Sequence, residues 1–160
     1  MPAHGAANGA PDAADGAWMT RALELAAAAA EAGEVPVGAV IVRDGRALGE
    51  GANRTISDAD PTAHAEVVAI RAAARANGDW RLTETTLYVS LEPCAMCAGA
   101  TVLARIPRVV FGARDPKAGM VVSLGNLLQD TRLNHRCVVH GGVGADRSAD
   151  LLRAFFRSRR

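Results

Sequence analysis

Asp60-Pro61-Thr62-Ala63-His64-Ala65-Glu66 and Glu92-Pro93-Cys94-Ala95-Met96-Cys97 are the stretches whose reading decides this chain. Each runs from a proline-marked loop into a helix. Asp60-Pro61-Thr62 starts one predicted over Ala63–Ala76 and ended by Asn77-Gly78. Pro93 opens another that runs to Arg105, before Pro107. Between them Thr86–Leu91 is β-branched and apolar, which predicts a buried strand. Working outward, Trp18–Ala32 is rich in Ala and Leu and stops at Gly33, a helix. Val37–Val42, Asp44-Gly45 and Arg46–Glu50 form a hairpin, because Asp-Gly supplies the positive φ of a type I′ turn. Arg108–Phe111 and Val138–His140 read as further strands and Ala145–Arg160 as a closing helix. Helices alternating with strands imply an α/β layered fold with a mixed sheet.

The 160 residues suit one domain with a real core, and 49% hydrophobic against 22% charged is a globular balance. Residues 1–17 combine Ala, Gly, Asp and Asn with two prolines, lacking the basic start and apolar centre of a secretion signal. They are expected to be a flexible tail, leaving residues 18–160 as the domain. No apolar run reaches membrane-spanning length, so no membrane partner and a cytoplasmic location are expected. A net charge of +1 neither requires nor forbids a nucleic-acid partner. The ending carries Arg153, Arg157, Arg159 and Arg160 around Phe155 and Phe156, which suits phosphate and equally suits a solvated last helical turn.

Three cysteines in a chain expected to be cytosolic point to metal or catalysis rather than disulfides. His64 and Glu66 fall in the first turn of one predicted helix, Cys94 and Cys97 in that of another. Cysteines three apart share a helix face, and helix N-termini favour the thiolate that binds zinc. One imidazole and two thiolates make three protein ligands and leave the fourth tetrahedral position to water, the pattern of a catalytic zinc. The alternative is a closed structural site with Cys137, His135 or His140 as fourth ligand; otherwise Cys137 is a small buried hydrophobe. Glu66, two residues from His64, is placed to reach the water rather than the ion, and to move its proton.

His64-Ala65-Glu66 and Pro93-Cys94-Ala95-Met96-Cys97 together resemble the H-x-E and P-C-x-x-C pair of the cytidine-deaminase-like zinc deaminases. Residues 34–40, 49–54, 60–66, 86–94 and 109–115, with Leu133–Arg136 and the ending Phe155–Arg160, resemble the bacterial tRNA-specific adenosine deaminases among them. These blocks span nearly everything after residue 17. The resemblance implies a three-layer α/β/α fold with a mixed five-stranded sheet, a homodimer and one zinc ion per subunit. It implies hydrolytic conversion of adenosine to inosine at the wobble position of a tRNA anticodon, with an arginine tRNA as the expected substrate. It makes Glu66 the catalytic proton shuttle and His64, Cys94 and Cys97 the metal ligands. It places Asn53 on the flipped base, Val35, Pro36 and Ala65 around it, and Asp115, Lys117, Asn134 and His135 along the RNA. Read without the resemblance, Asn53 is a turn residue after Gly51, Asp115 a turn initiator before Pro116, and Lys117 a solvated cation. Glu92 then only complements a helix dipole, and Gly112 and Gly119 serve turns. The Ala/Gly tail and Met120-Val121-Val122 depart from the family pattern. A deaminase of free bases or nucleosides, a non-catalytic RNA-binding module with structural zinc, and a side activity on messenger RNA or single-stranded DNA are the rival readings.

Overall fold

The computed structural model describes residues 12–159; most of the expected tail, and Arg160, lie outside them. The elements in order are α1 (Asp15–Glu31), β1 (Gly38–Arg43), β2 (Arg46–Ala52), α2 (Ala65–Asn77), β3 (Thr86–Leu91), α3 (Ala95–Leu103), β4 (Arg108–Ala113), β5 (Val138–Gly141) and α4 (Ala145–Ser158). Five strands form one sheet in the order β2-β1-β3-β4-β5. β1 runs antiparallel to β2 and β3, while β3, β4 and β5 run parallel, so the sheet is mixed as expected. Asp44 and Gly45 both take positive φ (50° and 71°), the geometry the Asp-Gly turn required.

Alternation along β1 divides the core between two faces. Ala39 and Ile41 join Ala65, Ala69 and Ala73 of α2, and Ala98 and Val102 of α3, in the larger core. Val40 and Val42 join Met19, Ala22 and Leu23 of α1 on the other face, where Leu151 of α4 also packs. Helices therefore cover both sides of the sheet, the three-layer arrangement. α2 lies close on the hairpin because β2 presents glycines beneath it. A methyl at Gly49 would strike the backbone of Ala69 and Ala73, and one at Gly51 that of Ala65 and Ala69.

Three helix starts differ from the sequence expectation, and the causes are physical. α1 begins at Asp15, three residues before Trp18, because Asp15 is buried as a long-range anchor. Its carboxylate accepts hydrogen bonds from the Tyr88 hydroxyl (2.8 Å) and from both terminal nitrogens of Arg108 (2.8 and 2.7 Å). Burial alone would raise the Asp15 pKa, but the bonds from Arg108 and Tyr88 outweigh it and hold the carboxyl at about 2. α2 and α3 start one residue after His64 and Cys94, which are N-cap residues with extended backbone (ψ 154° and 178°) rather than members of the first turn.

Candidate active site

The N-cap placement builds the site. His64 and Cys94 leave their strands and loops in extended conformation, so their side chains project beyond the helix ends instead of along the helix flanks. Cys97 is the third residue of α3 and comes back to the same point. The Sγ atoms of Cys94 and Cys97 lie 3.6 and 3.5 Å from His64 Nδ1. Among the described residues, these three form the one cluster of His, Cys, Asp or Glu groups whose donor atoms lie close enough to hold an ion. Cys137, His135 and His140 are not in it. The Cys137 thiol, buried in the core, donates to the Ile106 carbonyl at 3.1 Å, and His135 Nε2 meets that same oxygen at 2.7 Å. The four-ligand alternative thus lacks a fourth ligand, and Cys137 is the buried apolar residue it was expected to be.

The chemistry of the donors fits zinc. The Cys97 thiol and the His64 ring, both hydrogen-bonded to Cys94, depress its pKa to about 4; that neighbouring thiolate and burial push Cys97 upward. One thiolate beside the other opposes a second ionisation unless a cation sits between them. A divalent ion with one nitrogen and two sulfur donors removes that conflict, and this set is positioned to hold a zinc ion.

Glu66, the second residue of α2, is 4% exposed and faces the same cleft. Burial raises its carboxyl to about 7. The cleft itself measures about 260 Å³. Around the donors and Glu66 it is lined by Val35, Val37, Asn53, Thr55 and Ala65 on one side of the sequence. Leu91, Glu92, Asp115 and Ala118 line it from the other.

The expected substrate residues divide into two groups. Asn53, Val35, Ala65 and Asp115 line the cleft. Pro36 does not: the Val37 N–H donates to the Val35 carbonyl at 2.9 Å, a tight turn centred on Pro36, which is buried while Val35 and Val37 on either side reach the cleft. Lys117 and Asn134 are exposed outside the cleft, and His135 is held against the Ile106 carbonyl. Asp115 also initiates a turn, its carboxylate accepting the backbone N–H groups of Lys117 and Ala118 at 3.1 and 3.2 Å. Val37, Thr55, Leu91 and Ala118 escaped the sequence reading. Val35 was placed by the family resemblance, and nothing local marks these four.

Residues 13–113 match the family model of the cytidine and deoxycytidylate deaminase zinc-binding region, and the chain belongs to that family. Within it, the chain is 48% identical over 147 residues to the tRNA-specific adenosine deaminase of Haemophilus influenzae, covering 91% of this chain and 85% of that protein. It is similar to a solved structure from work on A-to-I editing by tRNA:A34 deaminases at the wobble position of transfer RNA. That likeness has a TM-score of 0.82 and 45% identity, over 85% of this chain and 99% of the other. A guanine deaminase from Bacillus subtilis is also 45% identical, but over 61% of this chain and 63% of the other, with a TM-score of 0.60.

Proposed function

We propose that this chain hydrolytically deaminates adenosine to inosine at the wobble position of a tRNA anticodon, an arginine tRNA being the expected substrate. The observation that carries the reading is one cleft in which a buried carboxylate, Glu66, stands beside an imidazole and two cysteines at the N-terminal ends of two helices, with Asn53 on its wall. Identity of 48% and 45% over most of the chain to tRNA deaminases, against 25% over a comparable span to a guanine deaminase from Nitrosomonas europaea, supports adenosine in RNA over a free base. His64, Cys94 and Cys97 would hold zinc, one ion per subunit. When bound, that ion supplies a Lewis acid that lowers a water's pKa from about 15.7 to about 7.

The remaining work falls to the chain's own side chains. Glu66 takes a proton from the attacking water and delivers it to ring nitrogen 1 of adenine; it then takes the second proton from the hydroxyl added at carbon 6 and gives it to the amino group, which leaves as ammonia as the carbonyl forms. Water and adenosine thereby give inosine and ammonia, with every atom accounted for. Glu66 suits both directions of that transfer because its buried carboxylate faces the cleft beside the metal donors. Asn53 orients the base by hydrogen bonding, and Val35, Val37 and Ala65 pack on it. The anticodon loop presents a base that is already unpaired, so drawing it into a cleft of this size costs less than opening a duplex. Asp115 meets a neighbouring nucleotide, and Lys117, Asn134, His135 and the arginines of α4 lie along the RNA outside the cleft. The enzyme acts in the cytoplasm as a homodimer.

The test is direct. Purified protein is incubated with an arginine tRNA transcript carrying adenosine at the wobble position, with free adenosine, cytidine and guanine in parallel and Glu66→Ala as control. Inosine at that one position, absent with the variant, is the expected result. Silence on tRNA with ammonia released from a free base would move the function to nucleobase salvage. A monomeric mass in solution at micromolar concentration would count against the dimer.

A further inference from the structure

Glu92 has no part in the chemistry above, and as a helix-dipole partner it would turn toward the first amides of α3. It does not. Glu92 is 2% exposed, and its carboxylate turns to the connection that follows β4. Oε1 accepts the Asp115 N–H at 3.0 Å and the Ser123 hydroxyl at 2.5 Å. Oε2 accepts the N–H groups of Val121, Val122 and Ser123 at 3.1, 2.8 and 2.9 Å. Five donors on one buried carboxylate offset the cost of burying its charge without a cationic partner.

Gly119 shows how tightly the segment is drawn in. A methyl there would run into both Glu92 oxygens and the carbon between them. The same turn is tied to the cysteine loop by a bridge between Gly119 and Cys94, and by the Met120 N–H donating to the Pro93 carbonyl at 2.9 Å. Residues 115–123 carry Asp115 and Ala118 into the cleft. Their backbone is therefore fixed by a side chain that belongs to the strand end leading into the metal ligands.

We propose that Glu92 is a positioning residue that clamps residues 115–123 as a rigid wall of the cleft, and so governs how tightly substrate is held rather than how fast protons move. The binding half of this statement rests on the tRNA reading above; the clamp does not. Glu92→Gln puts an amide N–H₂ against backbone donors, and Gly119→Ala displaces the carboxylate while leaving its charge in place.

The experiment uses the zinc-loaded full chain, with residue-resolved amide hydrogen exchange beside steady-state kinetics on an anticodon stem-loop. In both variants exchange at Asp115, Val121, Val122 and Ser123 should accelerate by about tenfold or more, with the sheet amides unchanged. Zinc content should hold, KM should rise by about tenfold and kcat should fall by less than about threefold. Unchanged exchange at those four amides would overturn the clamp, as would a uniform rise across the sheet, which marks general destabilisation. A loss confined to kcat, or loss of zinc, would overturn the binding role. A wild-type enzyme inert on tRNA would sink the substrate assignment, and the exchange comparison would still decide the clamp.

Discussion

The corner where α2 and α3 begin and the connection between β4 and β5 are both shaped by hydrogen bonds to chain that lacks regular structure, yet they are built in opposite ways. At the corner the working groups come from two short runs, His64 with Glu66 and Cys94 with Cys97, and the helix ends bring them together. In the connection, residues 114–137, the fixed points are remote partners: Glu92 for the first half, the Ile106 carbonyl for His135 and Cys137 in the second. The corner concentrates chemistry where spacing dictates it. The connection takes its shape from contacts that spacing does not announce. The corner should therefore govern rate, and the surrounding scaffold and rim should govern stability and binding.

The largest effect that separates them is metal removal. Chelation should abolish ammonia release, and added zinc should restore it; activity that survived verified loss of zinc would break the assignment of the corner. Next, Glu66→Gln should lower kcat by about a thousandfold while zinc content, measured by atomic absorption, stays the same. Near-normal turnover in that variant would remove Glu66 from the proton path.

Asp15 tests the scaffold. Its carboxylate side chain is 3% exposed and paired with Arg108, so Asp15→Asn should cost about 3 kcal/mol in urea unfolding and leave kcat intact. Its folded pKa of about 2 lies below the ordinary 3.8. The stability it contributes is thus complete above pH 4 and disappears as the pH falls through 2; the variant should lose that part of the acid transition. An unchanged acid limb would show that the pair stabilises nothing.

Smaller effects sharpen the rim. Asn53→Ala should lower kcat/KM by about tenfold, the scale of one lost hydrogen bond to substrate. Lys117→Ala, exposed and outside the cleft, should lower it by about twofold and flatten the salt dependence of KM. A change in kcat alone for Lys117→Ala would place it nearer the chemistry than its position allows.

The same contrast explains what the sequence made legible. The hairpin was readable because Asp44-Gly45 encodes its own turn; the two faces of β1 were not, because Gly38–Val42 are all apolar and all buried. The donors were readable because ligand spacing is a local property. Their N-cap placement was not, since proline marks a helix start only to within a residue or two. Asp15 was missed as the start of α1 because its partners, Tyr88 and Arg108, lie 73 and 93 residues away. Glu92 was read as a dipole partner for the same reason: its acceptor role depends on donors 23 to 31 residues downstream. His135 belongs to the family-like run Leu133–Arg136, but the Ile106 carbonyl that holds one of its ring nitrogens lies 29 residues away and has no local mark.

Zinc K-edge absorption on the loaded protein tests the central claim most directly. The account predicts two sulfur scatterers at about 2.3 Å and two nitrogen or oxygen scatterers at about 2.0–2.1 Å, with imidazole multiple scattering from one ring. A third sulfur, or the signal of a second histidine, would close the coordination sphere with protein and contradict a catalytic site.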